Sequence, residues 1–125
     1  MLSVEIANRS GAEVDEAAAV ELAGDVLRGE GIEDGELGIA FVGAEEMRSL
    51  KQKHLGIDEA TDVLSFPIDG RDALPEGLPR ALGDVVLCPA VVGAAWRGPL
   101  THGLLHLLGY DHGPEMEARE RAHLT

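Results

Sequence analysis

HGLLHLLGYDH, residues 102–112, places three of the chain's five histidines in a run that is otherwise mostly leucine and glycine. A packed core has no use for them, because burying an imidazole without partners costs on the order of a few kcal/mol. His102 and His106 are four residues apart, so on a helix they leave the same face one turn apart, in chelating geometry. Gly109 suits the left-handed cap that ends a helix, and the chain beyond it can fold back to bring His112 toward the first pair. Three neutral imidazoles with an open fourth position describe a catalytic zinc site rather than a structural one. By ligand type alone, nickel, copper or iron would also be suited. The spacing therefore predicts His102, His106 and His112 as metal ligands for one zinc ion per chain. His54 and His123 have no such company and are expected at the surface. Gly103 lies inside the same helix at a cost of about 1 kcal/mol relative to alanine. Either a close neighbour such as substrate or tight packing against a sheet would require its missing side chain.

Outward from this helix, the chain alternates between strand and helix signals. LSVEIAN (2–8) alternates apolar and polar as a half-buried strand does, and Ser10-Gly11 breaks it. Val14, Ala18, Leu22, Val26 and Leu27 follow at helical spacing, and Gly29 to Gly31 end the helix. ELGIAFVG (36–43) reads as a strand and AEEMRSLKQKHLG (44–56) as a helix with Met47, Leu50 and His54 or Leu55 on one face. TDVLSF (61–66) reads as a strand stopped by Pro67, and residues 68–83 as a Gly- and Pro-rich loop. LGDVVLC (82–88) gives a fourth strand. A helix from Pro89 toward Trp96, the histidine helix and a short final helix over 116–124 complete the chain. The order predicts one α+β domain over 1–125, with a small mixed four-stranded sheet covered by helices.

The composition narrows the function classes. The 125 residues carry a net charge of −13, and residues 1–46 hold twelve acidic side chains against two basic ones. Such a balance excludes simple adhesion to nucleic acid. The longest apolar run, VVLCPAVVGAAW (85–96), contains a proline and is too short to span a bilayer. The start lacks the features of a secretory leader, and Cys88 is the single cysteine, so no intrachain disulfide forms. These features predict a soluble, cytoplasmic protein with no membrane partner.

The spacing H-x3-H-x2-G-x2-H is also that of zinc peptidases, in which a glutamate follows the first histidine as general base. Gly103 stands there in this chain. Losing a positioned acid–base group costs roughly 100- to 10,000-fold in rate, which disfavours a metallopeptidase.

HGLLHLLGYDH resembles the signature of the YbeY endoribonuclease family. TDVLSFP (61–67) and LGDVVLC (82–88) resemble that family's strand motifs in the same order, and Met116 and Glu120 fit its M-x3-E spacing. The resemblance runs from about Leu37 to Glu120. It implies an α+β fold with a zincin-like metal site whose ligands are His102, His106 and His112. It implies a metal-dependent, single-strand-specific endoribonuclease acting in 16S rRNA 3′-end maturation and ribosome quality control. The implied partners are single-stranded ribosomal RNA and the small ribosomal subunit or its proteins. The metal would polarise a phosphate oxygen or lower the pKa of a bound water.

Several members carry a basic residue where this chain has Leu55. Lys51, Lys53 or His54 could substitute from the same helix. The catalytic group besides a metal-bound water is open, with Lys53 and Asp111 as candidates. Asp111 could instead hold an imidazole tautomer or cap the turn. Of the polar residues in TDVLSFP, Thr61, Asp62 and Ser65 could face the cleft. Affinity for a polyanion is supplied largely by lysine and arginine. Arg48, Lys51 and Arg97 are the RNA-binding candidates, with Lys53, Arg71 and Arg80 also in the less acidic half. An alternative is a zinc-binding ribosome-assembly factor that docks partners and hydrolyses little.

Overall fold

The computed structural model describes residues 1–55 and 62–124, with Leu55 described by its backbone alone. Thr61 and the side chain of Leu55 thus lie outside the described residues. The chain runs β1 (Leu2–Asn8), α1 (Glu16–Gly29), β2 (Gly35–Phe41), α2 (Ala44–Leu55), β3 (Val63–Pro67), β4 (Ala81–Leu87), α3 (Pro89–Val92), α4 (Arg97–Leu107) and α5 (Pro114–Leu124). The four strands form a mixed sheet in the order β1-β2-β4-β3. β1 and β4 flank β2 in parallel, and β3 joins β4 antiparallel at the edge.

Pleat parity divides the side chains between two faces. Val4, Ile6, Leu37, Ile39, Phe41, Val85, Leu87 and Val63 share the face that packs against α1, α4 and α5. Ala40, Val86, Leu64 and Phe66 take the other face, where Met47 and Leu50 of α2 join them with Val42 and Cys88. Glu5, Glu36 and Asp84 are exposed.

The side chain of Asp15 caps α1 by accepting from the Ala18 N–H at 3.0 Å. Its buried stripe is Ala19, Ala23, Val26 and Leu27, with Val14 and Leu22 half-buried beside it. The stripe is rotated by one position from the expected one through Ala18, because a run of three alanines leaves helical phase undetermined at that end. α3 is shorter than predicted. It ends at Gly93, whose φ of +55° stops the helix after four residues, well before Trp96. The final helix begins at Pro114, two residues earlier than Met116.

α4 is the central helix. Leu100, Leu104, Leu105 and Leu107 are at most 1% exposed, and Leu→Ala changes at such sites cost about 2–5 kcal/mol. Gly103 lets this helix lie against the sheet. A Cβ there would sit 2.8 Å from Val85 Cγ1, 3.0 Å from Val63 Cγ2 and 3.1 Å from Ser65 Oγ. Ser65 Oγ closes the seam by donating to the Gly103 carbonyl at 2.9 Å. Packing against the sheet, of the two readings of this glycine, is the one the contacts bear out. A glutamate side chain has no room at this position.

Candidate metal centre

α4 presents His102 and His106 on one face, as their spacing of four requires. The helix closes at Leu108, and Gly109 turns the chain at φ +97°, a conformation glycine adopts at little cost. Tyr110 N–H then returns to the Leu105 carbonyl at 3.1 Å, and His112 swings back over the helix. One ligand atom from each of His102, His106 and His112 lies within 4.8 Å of the other two. The ring centroids are 4.6, 4.7 and 4.9 Å apart.

Hydrogen bonds fix the ring tautomers. His102 Nδ1 donates to the Glu120 carboxylate. His106 Nδ1 donates to the Tyr110 carbonyl at 2.9 Å. Both partners are pure acceptors, so each neutral ring carries its proton on Nδ1 and a lone pair on Nε2. The two Nε2 atoms nevertheless face each other at 3.0 Å. Two lone pairs at that distance repel unless a positive charge lies between them. Burial lowers the pKa of His106, the nearby His102 adds to that, and the Tyr110 carbonyl opposes it. Three convergent imidazoles with their other nitrogens held by a carboxylate and a carbonyl fit a divalent transition metal.

The cluster opens on a cleft of about 890 Å³. Edge strand β3, from Val63 to Pro67, forms one wall, and Gly98, Pro99, Tyr110, Asp111 and Glu120 line the rest. Asp62 and Ser65 reach it as expected, although the Ser65 hydroxyl is engaged with Gly103. His54 is exposed, as anticipated, and meets Phe66 edge-on at 4.9 Å where α2 borders the cleft. Asp111 is in the wall beside His112. The role considered for it, holding an imidazole, is filled for His102 and His106 by Glu120 and the Tyr110 carbonyl.

The basic candidates are placed elsewhere. Among the described residues, no lysine or arginine lines the cleft. Arg97 stacks over the Trp96 ring at 4.4 Å. Arg80 Nη1 donates to the Gly70 carbonyl at 2.6 Å. Lys53 is exposed on α2, where Arg48 and Lys51 also sit. Arg71 is drawn to Glu30.

Glu30 was not singled out by the sequence. Its carboxylate is 2% exposed. Oε1 accepts from the Tyr110 hydroxyl at 2.6 Å and from Arg71 Nη2 at 2.9 Å. Oε2 accepts from Arg119 Nε at 2.8 Å, Arg119 Nη2 at 2.6 Å and His123 Nε2 at 2.6 Å. Burial alone would raise its pKa, but bonds from Tyr110, His123 and Arg119 outweigh burial and lower it to about 2. The same bond pushes the Tyr110 hydroxyl upward. The expected surface position of His123 is corrected here: its side chain is only 10% exposed, because the carboxylate draws the ring inward.

The sequence profile described as Endoribonuclease YbeY matches residues 5–125. A protein of Salinispora tropica named Endoribonuclease YbeY is 40% identical over 139 aligned positions, which cover 95% of this chain and 88% of that one. One of the same name from Acidothermus cellulolyticus is 43% identical over 138 positions, covering 95% and 84%. Both alignments are longer than the 125-residue chain, so these relatives carry residues that it lacks. The solution structure of TM1509 from Thermotoga maritima is similar in fold. It has a TM-score of 0.63 and 24% identity, over 96% of this chain and 85% of that one.

Proposed function

This chain belongs to the YbeY endoribonuclease family, and from that premise we propose that it is a metal-dependent, single-strand-specific endoribonuclease acting in 16S rRNA 3′-end maturation and ribosome quality control. The observation that carries the metal-dependent part is the pair of Nε2 atoms facing each other at 3.0 Å beside His112. His102, His106 and His112 hold the ion in this reading, one zinc per chain. What zinc supplies when bound is Lewis acidity, which stabilises charge on a phosphoryl oxygen and acidifies water.

The chain's own residues do the rest. Glu120 and the Tyr110 carbonyl keep the His102 and His106 lone pairs aimed inward. The wall of β3 admits an extended strand along one side of the cluster. Asp111, the carboxylate beside His112, takes the proton in this reading, since Glu120 is committed to His102 and Asp62 accepts from the Val63 N–H. Lys53 is exposed on α2 and is not among the residues that line the cleft, so it serves in this reading only through longer-range charge.

A second reading, a zinc-binding ribosome-assembly factor in the cytoplasm with little hydrolysis of its own, is favoured by one observation. Its cleft wall has no lysine or arginine among the described residues, and the body is acidic. The small ribosomal subunit or its proteins would then supply the docking surface.

One experiment separates the readings. Purified protein is assayed on a single-stranded RNA spanning the 16S 3′ end and on a duplex of the same sequence, with elemental analysis alongside. Cleavage of the single strand only, lost with a chelator and in His106→Ala, supports the nuclease. A bound metal without cleavage, and a His106→Ala variant that still supports ribosome assembly, favours the docking role.

A further inference from the structure

We infer that Glu30, at the C-terminal end of a helix that contributes nothing to the cleft, is a positioning residue for the three-histidine cluster. The inference rests on the reading of that cluster as a metal site.

The carboxylate gathers side chains from three separate parts of the chain: Arg71 from the loop after β3, Tyr110 from the turn after α4, and Arg119 and His123 from α5. Arg71 also donates to the Glu30 carbonyl at 2.8 Å, which locks the loop to the end of α1. Of these groups only the Tyr110 ring packs against the apolar core. Two of them lead directly to the cluster.

Tyr110 is held at both ends. Its hydroxyl donates to Glu30, and its carbonyl accepts from His106 Nδ1. The Tyr110 backbone also sets where His112 emerges, two residues later. Arg119 precedes Glu120, whose carboxylate accepts from His102 Nδ1. Anchoring Arg119 fixes the rotation of α5 about its axis, and that rotation decides whether Glu120 reaches His102. Through two short paths, one buried carboxylate therefore orients the groups that orient His102 and His106, and it sets the starting point for His112. Partners one step beyond the ligands typically change metal affinity by about 10- to 100-fold.

The test is a Co²⁺ titration of the purified chain, followed by visible absorption, which reports affinity and ligand geometry together. Thermal unfolding of the metal-free protein runs in parallel. Glu30→Gln keeps the shape and removes the charge. Tyr110→Phe removes only the hydroxyl link and leaves the carbonyl that accepts from His106. The expected result is Co²⁺ binding weakened about 10- to 100-fold in Glu30→Gln, with a changed absorption band, and a smaller loss in Tyr110→Phe. A purely structural role for Glu30 would lower the unfolding temperature and leave the affinity and spectrum of the folded protein as they were. That outcome overturns the inference. If Glu30→Gln does not fold, Tyr110→Phe decides, and wild-type binding by it overturns the inference equally. Failure of the wild-type chain to bind Co²⁺ would instead remove the metal reading itself.

Discussion

Arg119 and Glu120 are adjacent on α5 and turn to different partners about 100° apart around the helix. Arg119 Nη2 donates to the buried Glu30 at 2.6 Å, and Glu120 accepts from His102 Nδ1. α5 is thereby fastened to α1 on one side and to the histidine helix on the other.

Glu120→Ala removes the acceptor that keeps the His102 proton on Nδ1. Zn²⁺ affinity should fall by about 10- to 100-fold, measured by competition with a chelator. Unchanged affinity would mean that the ring is oriented without the carboxylate.

A metal that binds the folded chain and not the unfolded one stabilises it by mass action. At a free concentration one hundred times Kd the gain is about 2.7 kcal/mol, which for a chain of this length raises Tm by roughly 10 °C. Calorimetry of the wild-type protein with Zn²⁺ should show that rise, and a chelator should reverse it. His106→Ala should show little of it.

Gly103→Ala should destabilise, although alanine is the better helix former by about 1 kcal/mol. The added methyl meets Val85 and Val63 in a filled seam, at 2.8 and 3.0 Å, and overpacking of this kind costs about 1–3 kcal/mol. Urea denaturation gives the sign. A stabilised variant would show that α4 can move off the sheet cheaply.

Glu30 should make the chain acid-sensitive. Its folded pKa of about 2 lies below the ordinary 4.5, so the unfolded chain binds the proton more readily. The carboxylate's contribution is fully present above pH 4.5 and is lost as pH falls from there toward 2. The difference corresponds to roughly 3 kcal/mol. Chemical denaturation of wild type and Glu30→Gln between those pH values should show a steeper slope in the first than in the second.

Local order made much of this molecule legible. The alternation of LSVEIAN matches the half-buried Leu2, Val4 and Ile6. The spacing of His102 and His106, with Gly109 to turn the chain, anticipated the clustering of three imidazoles. Other parts depend on how elements meet. Glu30 and His123 are 93 residues apart, and neither carries a local signal that it will find the other. Glu120 was visible only as part of an M-x3-E spacing, because its task arises where α5 crosses α4. Arg71 and Arg80 read as charges available to a polyanion, since a sequence does not reveal that a buried carboxylate or a loop carbonyl will take each guanidinium. The early stop of α3 turns on one backbone angle at Gly93.

The absence of lysine and arginine from the cleft wall, among the described residues, has a thermodynamic consequence. A strand of RNA entering it displaces few counterions, and the slope of log affinity against log salt falls by roughly 0.7 for each phosphate left unneutralised. Binding there should therefore be weak and nearly indifferent to ionic strength. Under those conditions turnover is governed by how high the local concentration of the strand is made, and a docking partner that carries the strand would raise it without adding any contact inside the cleft.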